Sequence, residues 1–365
     1  MINSVIKILE IVFWVSIFFI IYSYSLYPVL LFIFARFFGK PTIKNSEFTP
    51  TVGVLVPAYN EEKVIRKKIE NILSLNYPQD KISVWVGSDC SNDETENIVR
   101  SYSDPRVHLW RSAQRTGKTG VINNLTPLID AEIILFTDAN TMHRKDCLQA
   151  VVRNFADVSV GGVAGQITHS KAEHSEEEFG ENIYRSFEVW QKILEGNLHS
   201  TISAFGGFYA IRKSLFKKIP PNSYSNDDVL IPMNIIKQGY RIIFDADAQS
   251  FEDITGNVAS EFSRRVRIGA GNYQAFFWLL PFLSPFKGWP AFCFFSHKVT
   301  RWFSPVFFLN TILSCSLLFV LGGAEIYKMI FASGAILFIA GFFYKVISLS
   351  ITRHIYYFFI IILWL

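Results

Sequence analysis

The stretch Ile133-Ile134-Leu135-Phe136-Thr137-Asp138-Ala139-Asn140 sets the interpretation of this chain of 365 residues. Its four apolar residues predict a buried strand, which places Asp138 at the strand's carboxyl end. In open α/β sheets, ligands bind at the carboxyl ends of the strands. A carboxylate there suits Mg²⁺ or Mn²⁺, which prefer oxygen ligands and leave positions open for substrate phosphate. For an isolated Asp-x-Asn triplet, a turn or a helix cap is the alternative interpretation.

Three further apolar segments, residues 51–56, 82–87 and 107–110, are predicted to be strands that alternate with helices. This alternation predicts a doubly wound, largely parallel α/β sheet with right-handed connections. Asn60 is predicted to be the N-cap of the first helix, and Asp93 with Glu96 resembles a capping box at the start of the next helix. For Asn60 and Asp93, capping is at least as strong an interpretation as chemistry.

Four charged side chains are expected at one edge of this sheet: Glu61, Asp89, Lys118 and Asp138. The three carboxylates suit a ribose, a base amide and a metal ion, and the Lys118 ammonium can neutralise phosphate. Together they predict a nucleotide-sugar pocket.

Seven motifs follow one another along the chain: Pro57-Ala58-Tyr59-Asn60-Glu61, Ser88-Asp89-Cys90-Ser91-Asn92-Asp93, Gly117-Lys118, Thr137-Asp138-Ala139-Asn140, Gly206-Gly207-Phe208-Tyr209-Ala210-Ile211-Arg212, Asn226-Asp227-Asp228 and Arg264-Arg265-Val266-Arg267. In this order they resemble the successive signatures of the membrane-bound family 2 glycosyltransferases, which include cellulose, chitin and hyaluronan synthases and many smaller bacterial transferases. The resemblance spans about residues 50 to 302. It implies a GT-A fold, a divalent metal ion and inversion at the anomeric carbon.

The resemblance also implies roles for individual residues. The nucleotide sugar is assigned to Tyr59, Glu61, Asp89, Lys118 and Asp138. The metal ion, Mg²⁺ or Mn²⁺, is assigned to Asp138 and Asn140. The acceptor or the diphosphate is assigned to Gly207, Asp227, Arg264 and Arg267.

Asp228 becomes the catalytic base by the same resemblance. A sugar hydroxyl is a poor nucleophile near neutral pH, so a positioned carboxylate must accept its proton during attack. The adjacent Asp227 can raise the pKa of one member of the pair by like-charge repulsion. Taken without the motif order, these residues favour a solvated loop acid ahead of an amphipathic helix over residues 229–237.

The chain departs from the family pattern in two places. Asn140 stands where the metal triplet often ends in Asp, which predicts weaker metal binding or binding that rests on Asp138 and the diphosphate. Processive synthases carry Gln-x-x-Arg-Trp where this chain reads Arg264-Arg265-Val266-Arg267-Ile268. The missing Trp removes an aromatic platform for an acceptor sugar, so we expect one or a few transfers per encounter. The arginines suit a diphosphate through bidentate hydrogen bonds, or anionic lipid next to a membrane.

Apolar segments flank the predicted catalytic region. Residues 11–34 are long enough to cross a bilayer, and the run is too long for a signal peptide and lacks a clear small-residue cleavage site. The predicted organisation is an N-terminal transmembrane anchor (1–40), a cytoplasmic GT-A domain (41–275), an interfacial segment (276–302) and C-terminal transmembrane helices (303–365). Residues 355–365 are too few to span the bilayer, so truncation of the last span is expected, with a re-entrant final element as the alternative.

Short basic flanks give the expected orientation. Arg36, Lys40 and Lys44 follow the first apolar segment, and Lys298 and Arg301 precede the C-terminal one. The positive-inside rule therefore places the catalytic domain in the cytoplasm of a multi-pass cell-membrane protein. A net charge of +4 is too small to imply nucleic acid. The cysteines have no metal-like spacing and are expected to be reduced.

The sequence thus predicts an inverting hexosyltransferase. The expected donor is a nucleotide-diphosphate sugar, foremost a UDP-sugar, and the expected acceptor is a hydroxyl of a glycan or lipid-linked molecule at the cytoplasmic membrane face, in polysaccharide or glycolipid synthesis. Transfer to a polyprenyl phosphate is the alternative, against which the pair Asp227-Asp228 argues mildly. A non-catalytic membrane scaffold or a transporter is the alternative from another class. No G-x-G-x-x-G follows the first strand to support a nicotinamide enzyme.

Overall fold

An eight-stranded mixed sheet forms the centre of the larger of two compact units. The structure, a computed structural model, describes residues 2–169, 176–224, 226–252 and 258–342. The larger unit contains Ile33–His174 and Arg185–Cys293, and the smaller one contains Met1–Phe32, Ser175–Tyr184 and Phe294–Leu365. The domain boundaries expected from the sequence stay a prediction.

The strands of the sheet follow the apolar segments of the sequence. They are β1 (Val52–Ala58), β2 (Ile82–Ser88), β3 (Val107–Arg111), β4 (Ile133–Thr137), β5 (Thr141–His143), β6 (Val160–His169), β7 (Phe208–Arg212) and β8 (Arg241–Glu252). Their order across the sheet is β3-β2-β1-β4-β7-β6-β8-β5. The four strands predicted from the sequence are confirmed.

Strand direction divides the sheet into two halves. β3, β2, β1 and β4 are parallel neighbours. β7 is antiparallel to both β4 and β6, and β5 is antiparallel to β8, while β6 and β8 are parallel. The prediction of a largely parallel sheet therefore holds for β1, β2, β3, β4, β6 and β8, which run in one direction, and β7 and β5, which run the opposite way, make the sheet mixed. Apolar patterning reports that a strand is buried, and it does not report the direction in which the strand runs.

Helices precede the first strand, connect many of the strands and follow the last one. They are α1 (Ile2–Ile21), α2 (Tyr27–Phe38), α3 (Ile65–Leu73), α4 (Thr95–Arg100), α5 (Gly117–Leu125), α6 (Cys147–Val152), α7 (Glu176–Leu198), α8 (Asp227–Lys237), α9 (Val258–Leu279), α10 (Trp289–Cys293), α11 (Thr300–Trp302), α12 (Ser304–Val320) and α13 (Glu325–Phe342). A π-helical turn, Tyr22–Leu26, connects α1 and α2.

The core of the larger unit lies between the parallel strands and their helices. Val54, Val84 and Leu135 are fully buried in the sheet, and Ile69 of α3 packs in the same apolar cluster. Gly87 lets α5 approach β2 closely, because a Cβ at this position would lie 2.3 Å from Val121 Cγ1. This packing places the amino end of α5 at the carboxyl edge of the parallel strands.

The predicted cap at Asn60 is wrong. Helix α3 begins at Ile65, and its first turn has no side-chain cap. Asn60 instead adopts a left-handed backbone conformation with φ of 57°, and its Oδ1 accepts a hydrogen bond from the Asn92 amide at 3.0 Å. Asparagine tolerates this conformation better than most residues because its short polar side chain bonds locally. Asn60 therefore links the two loops that follow β1 and β2.

The predicted capping box is wrong, because Glu94 stands at the N-cap position of α4 and makes no side-chain cap. Asp93 Oδ1 accepts from the amide of Thr95, the first residue of α4, at 3.0 Å. Its Oδ2 accepts from the Glu62 amide at 3.1 Å. Glu96, however, accepts from Ser88 Oγ at 2.8 Å and pairs with Arg111 at 3.0 Å. Strand β3 supplies this arginine, so tertiary packing redirects Glu96 away from the cap.

The smaller unit is helical and apolar. Phe13 of α1 packs with Cys315 and Leu318 of α12 and with Tyr327 of α13. Among the described residues, the continuous helical stretch Ile2–Phe38 is long and apolar enough to cross a membrane. The bent pair Trp289–Trp302 and Ser304–Val320 passes the same test if it is counted as one span.

The predicted C-terminal spans are occupied by helices as far as the structure describes them. α12 and α13 cover most of residues 303–342, while residues 343–365, with the expected truncation, lie outside the described residues. Transmembrane helices on both sides of the sheet stay a prediction. The interfacial segment predicted from residue 276 begins inside α9, which continues to Leu279.

Candidate active site

A lysine surrounded by oxygen atoms lies at the carboxyl edge of the parallel strands. Lys118, on the first turn of α5, donates a hydrogen bond from Nζ to the Gly206 carbonyl at 3.0 Å. The same nitrogen lies 3.0 Å from Asp138 Oδ1 and 3.3 Å from Asp227 Oδ1. Burial lowers the pKa of Lys118, but Asp138 and Asp227 raise it by more, so it stays above its usual value. The ammonium is therefore held in its charged form.

Asp227 is the most buried carboxylate of this group. Its side chain is 1% exposed, and its Oδ2 accepts a hydrogen bond from the Tyr209 hydroxyl at 2.8 Å. Burial raises the pKa of Asp227, Lys118 opposes this shift, and Asp138 adds to it. The like charge that acts here is Asp138, whereas the sequence pointed to Asp228. The predicted role of Asp227 at the acceptor or diphosphate stays a prediction, and its burial favours an indirect role.

Asp228 lies beside the peptide that binds Lys118. A Cβ on Gly206 would lie 3.7 Å from the carboxyl carbon of Asp228. The Asp228 carbonyl also accepts a hydrogen bond from the Ala204 amide at 2.9 Å. The start of α8 and the loop before β7 are therefore fixed to one another. This arrangement brings the predicted base next to the predicted diphosphate lysine.

Gly207 permits a close approach of β7 to the Asp138 turn. A Cβ at this position would lie 2.7 Å from Thr141 Oγ1 and 3.3 Å from Asp138 Oδ2. Both oxygens therefore face the space that the missing side chain leaves open. Thr141 Oγ1 is buried and has no hydrogen-bond partner within the part of the chain that the structure describes.

Asp89 supports the loop that carries Lys118. Its side chain is 5% exposed, its Oδ1 accepts from the Thr116 amide at 2.6 Å, and its Oδ2 accepts from the Gly117 amide at 2.8 Å. Both carboxylate oxygens are thus used within the protein. The predicted contact between Asp89 and the nucleoside stays a prediction beside this structural role.

An aromatic ring and an arginine lie next to this loop. The Arg115 guanidinium carbon lies 3.5 Å from the centre of the Tyr59 ring, and Arg115 Nε is 3.8 Å from Asp89 Oδ2. Burial raises the pKa of Glu61, and Asp138 and Asp93 raise it further. Arg115 therefore lies between Tyr59 and Asp89, and the predicted roles of Tyr59, Glu61 and Asp89 at the nucleotide sugar stay predictions.

Helix α9 carries Arg264 and Arg267, and its later turns contact the loop before α8. Asn226 Nδ2 donates to Asn272 Oδ1 at 3.3 Å, and the Tyr224 amide donates to Gln274 Oε1 at 3.1 Å. The helix is thus attached to the residue that directly precedes Asp227. Both arginines are exposed. Their role at the diphosphate stays a prediction.

Comparison with known proteins identifies the domain that contains this site. Residues 53–220 match the family described as glycosyl transferase family 2. Residues 53–220 form a family 2 glycosyltransferase domain. For these residues the match agrees with the family that the sequence motifs resemble.

Named relatives of the family 2 domain are similar over parts of their length. The chain is 35% identical over 161 residues to the beta-monoglucosyldiacylglycerol synthase of Trichormus variabilis, which covers 42% of this chain and 34% of that protein. It is 22% identical over 248 residues to the glycosyltransferase AglE of Haloferax volcanii, covering 64% of this chain and 76% of that protein. The chain therefore spans about a third of the length of the first relative.

A solved structure shows the fold. The mannosyltransferase PcManGT of Pyrobaculum calidifontis, in complex with GDP-Man and Mn²⁺, superposes with a TM-score of 0.68 at 21% identity. The match covers 97% of this chain and 94% of that chain. It confirms the predicted GT-A-type α/β fold, with a mixed sheet.

The residues of the family 2 domain that would hold a metal ion are few. Asn140 Nδ2 donates a hydrogen bond to Glu252 Oε1 at 3.0 Å. This bond uses the amide nitrogen, so the side-chain oxygen Oδ1 of Asn140 could bind a metal ion together with Asp138. Among the described residues, no group of three or more His, Cys, Asp or Glu side chains is arranged to hold a metal. The oxygens of Asp138 and Asn140 fit Mg²⁺ or Mn²⁺ in type, provided that the donor diphosphate supplies further oxygens.

Several site residues of the family 2 domain were not predicted from the sequence. Tyr209, Arg115 and Thr141 are described above, and Lys68 with His143 lies behind the Asp138 turn. The sequence contains a pattern that could have revealed Lys68, because this residue lies on the same apolar face of α3 as Ile65 and Ile72. A lysine on a buried helix face requires a partner inside the protein.

Proposed function

We propose that this protein is an inverting hexosyltransferase that moves a sugar from a nucleotide diphosphate, foremost a UDP-sugar, to an acceptor hydroxyl at the cytoplasmic face of the cell membrane. One observation carries the proposal: Lys118 contacts Asp138 and Asp227 at one point of the sheet edge, with Asp228 adjoining. The ammonium group that would bind the diphosphate and the carboxylate that would accept the proton thus come together from separate elements of the fold.

The donor side of the site consists of Lys118 and the loop that precedes it. The Lys118 ammonium is charged, and its contacts keep it at the mouth of the parallel strands, where it neutralises the departing diphosphate. Asp89 fixes the turn through two backbone amides, and Tyr59 offers a ring for the nucleoside. A divalent cation, held by Asp138 and Asn140, would supply further charge neutralisation when it is bound.

The acceptor side of the site centres on Asp228. As the acceptor oxygen attacks the anomeric carbon, its proton passes to the Asp228 carboxylate, and the electron pair of the broken bond leaves with the diphosphate. Attack from the face opposite the diphosphate inverts the anomeric configuration. Asp227, held by Tyr209, keeps Lys118 in place and does not carry the proton.

Glycolipid synthesis is the favoured setting. The relative in Trichormus variabilis is named a beta-monoglucosyldiacylglycerol synthase, which supports a lipid acceptor. The apolar helix Ile2–Phe38 supports attachment to a membrane, where such an acceptor resides. The proposal includes a multi-pass topology with the catalytic domain in the cytoplasm. A polysaccharide is the second proposed kind of product.

A donor and acceptor screen tests the proposal. Membranes containing the full chain are incubated with labelled UDP-glucose, UDP-N-acetylglucosamine and GDP-mannose, with and without added diacylglycerol. We expect nucleotide release and a labelled lipid from one UDP-sugar, and loss of both signals with Asp228→Asn. Labelling of polyprenyl phosphate that persists in Asp228→Asn would replace this proposal with the polyprenyl-phosphate alternative. Absence of any nucleotide release would overturn the enzymatic proposal.

A further inference from the structure

A fully buried lysine lies directly behind the turn that carries Asp138. Lys68, on α3, is 0% exposed. Its Nζ donates to Thr137 Oγ1 at 2.8 Å and to the Thr141 carbonyl, and it lies 3.1 Å from His143 Nε2. Within the described ranges, no carboxylate pairs with this lysine. Thr137 and Thr141 are the residues that immediately flank the Asp138-Ala139-Asn140 triplet.

The three contacts match the chemistry of an ammonium group. An ammonium has three donors and no acceptor, and here it meets three neutral acceptors. Because an ammonium can only donate, His143 Nε2 accepts from it, and His143 Nδ1 then donates to Ser250 Oγ, 2.7 Å away. Burial lowers the pKa of His143 well below its usual value, so the imidazole is neutral. Burying an ammonium without a carboxylate partner lowers the free energy of unfolding. A function for the contacts of Lys68 would explain why this lysine is buried here.

A second residue of α3 holds the other side of the same turn. Asn71 Nδ2 donates to the His143 carbonyl at 2.9 Å, and the His143 amide donates to Asn71 Oδ1 at 2.7 Å. Lys68 therefore connects α3 to the end of β4 and to β5. Asn71 adds a second connection between α3 and β5. The Asp138 turn between these strands has no other connection of this kind to α3 among the described residues.

We propose that Lys68 is a positioning residue that, together with Asn71, holds the Asp138-Ala139-Asn140 turn in the geometry that binds a divalent cation and the donor diphosphate. The inference rests on the proposed function, because it assigns the turn to that cation. Groups that orient metal ligands without touching the metal typically account for 10- to 100-fold of metal affinity. With one carboxylate in the triplet, the site depends on the orientation of Asp138.

The charge of Lys68 and its positioning role predict opposite results. Below about pH 7, where Lys68 is protonated, its buried positive charge repels an incoming cation, so removal of that charge alone would tighten cation binding. Loss of the hydrogen bonds to Thr137 and Thr141 would instead release the turn and weaken cation binding. The sign of the change therefore distinguishes the two roles.

Manganese binding measures this sign directly. Mn²⁺ is titrated into the purified full chain with UDP or GDP, whichever the wild type binds, and free Mn²⁺ is followed by electron paramagnetic resonance. We expect Lys68→Met to weaken Mn²⁺ binding by about tenfold or more. Lys68→Gln, which keeps a donor without the charge, should recover part of the loss. Unchanged or tighter binding in Lys68→Met would overturn the proposal.

Two further variants keep the test decisive. Lys213→Met is the matched control, since Lys213 also donates to a backbone carbonyl, that of Ile129, near the opposite end of β4. Its Mn²⁺ affinity should equal that of the wild type. If Lys68→Met does not fold, Asn71→Ala replaces it and should weaken binding in the same direction, and wild-type affinity would overturn the proposal. A wild type that binds the nucleotide but no Mn²⁺ would overturn the metal part of the proposed function itself.

Discussion

The Lys118 ammonium lies 3.0 Å from the Asp138 carboxylate, although the two residues follow different strands of the sheet. Lys118 is the second residue of α5, which comes after β3, and Asp138 directly follows β4. The lysine therefore neutralises the carboxylate that is proposed to bind the cation. A bound nucleotide diphosphate would give Lys118 a second anionic partner. Asp138 could then bind a metal ion with a smaller loss of favourable electrostatic interaction at Lys118.

The metal dependence of transfer is the first prediction. We expect Asp138→Ala to abolish transfer, because the only carboxylate of the triplet is then lost. The measurement is the transfer rate across Mn²⁺ and Mg²⁺ titrations. Full activity of Asp138→Ala, or a wild type that is indifferent to a chelator, would remove the metal hypothesis.

Asn140 gives a related prediction in which the structure modifies the expectation from the sequence. Asn140→Asp adds a metal ligand, but it also places a carboxylate near Glu252, whose Oε1 now accepts from the Asn140 amide group. We expect Asn140→Asp to preserve activity at saturating Mn²⁺. Combination with Glu252→Gln should lower the Mn²⁺ concentration needed for half-maximal rate, because the like-charge repulsion is removed. A higher Mn²⁺ requirement in the double variant would contradict the assignment of Asn140.

The division of labour between Asp228 and Asp227 is the next prediction. Asp228→Asn keeps the shape of the side chain but cannot accept a proton, so kcat should fall by about 10²- to 10⁴-fold with donor binding nearly unchanged. Asp227→Asn should lower kcat less and raise the donor KM, because Asp227 holds Lys118. Tyr209→Phe, which removes only the hydroxyl bound to Asp227, should shift the donor KM in the same direction. Wild-type kcat in Asp228→Asn would place the base elsewhere.

Product length is predicted from the residues that stand in place of the processive motif. Ile268 occupies the position at which processive synthases carry Trp, so an aromatic platform that retains a growing chain is missing there. We expect one or a few sugars per acceptor when product is sized under single-encounter conditions. Long polymer under those conditions would show that another surface retains the chain.

The stability of the protein should depend on pH through Lys68. Burial lowers the pKa of Lys68 to about 7 from its ordinary value of 10.5. Between these values the unfolded chain holds a proton that the folded protein lacks, so the free energy of unfolding rises with pH. This contribution is present above about pH 10.5 and is lost as the pH falls through about 7.

Thermal unfolding checks this prediction. The stability of the wild type relative to Lys68→Met should increase from about pH 6 to about pH 9, by at most about 1.4 kcal/mol per pH unit. A flat difference between Lys68→Met and the wild type would mean that Lys68 is charged at all these pH values.

The sequence by itself determined the first half of the sheet and the gathering of its charged residues. Apolar segments bounded by polar turns specify β1, β2, β3 and β4, since burying such segments is the main driving force for folding. Parallel strands end at one edge, so Asp89, Lys118 and Asp138 had to lie near each other whatever the remaining topology. The order of the motifs then identified the family of the domain.

Only the tertiary structure decided which partners those residues have. The antiparallel direction of β7 brings Gly207 against Asp138, and burial of α8 turns Asp227 into a partner of Lys118 and Tyr209. Lys68 became a buried support of the Asp138 turn because α3 packs across the ends of β4 and β5. Periodicity in a sequence records which face of an element is buried. It carries no information on which distant residue fills the space opposite, because that choice depends on packing between segments far apart in the chain.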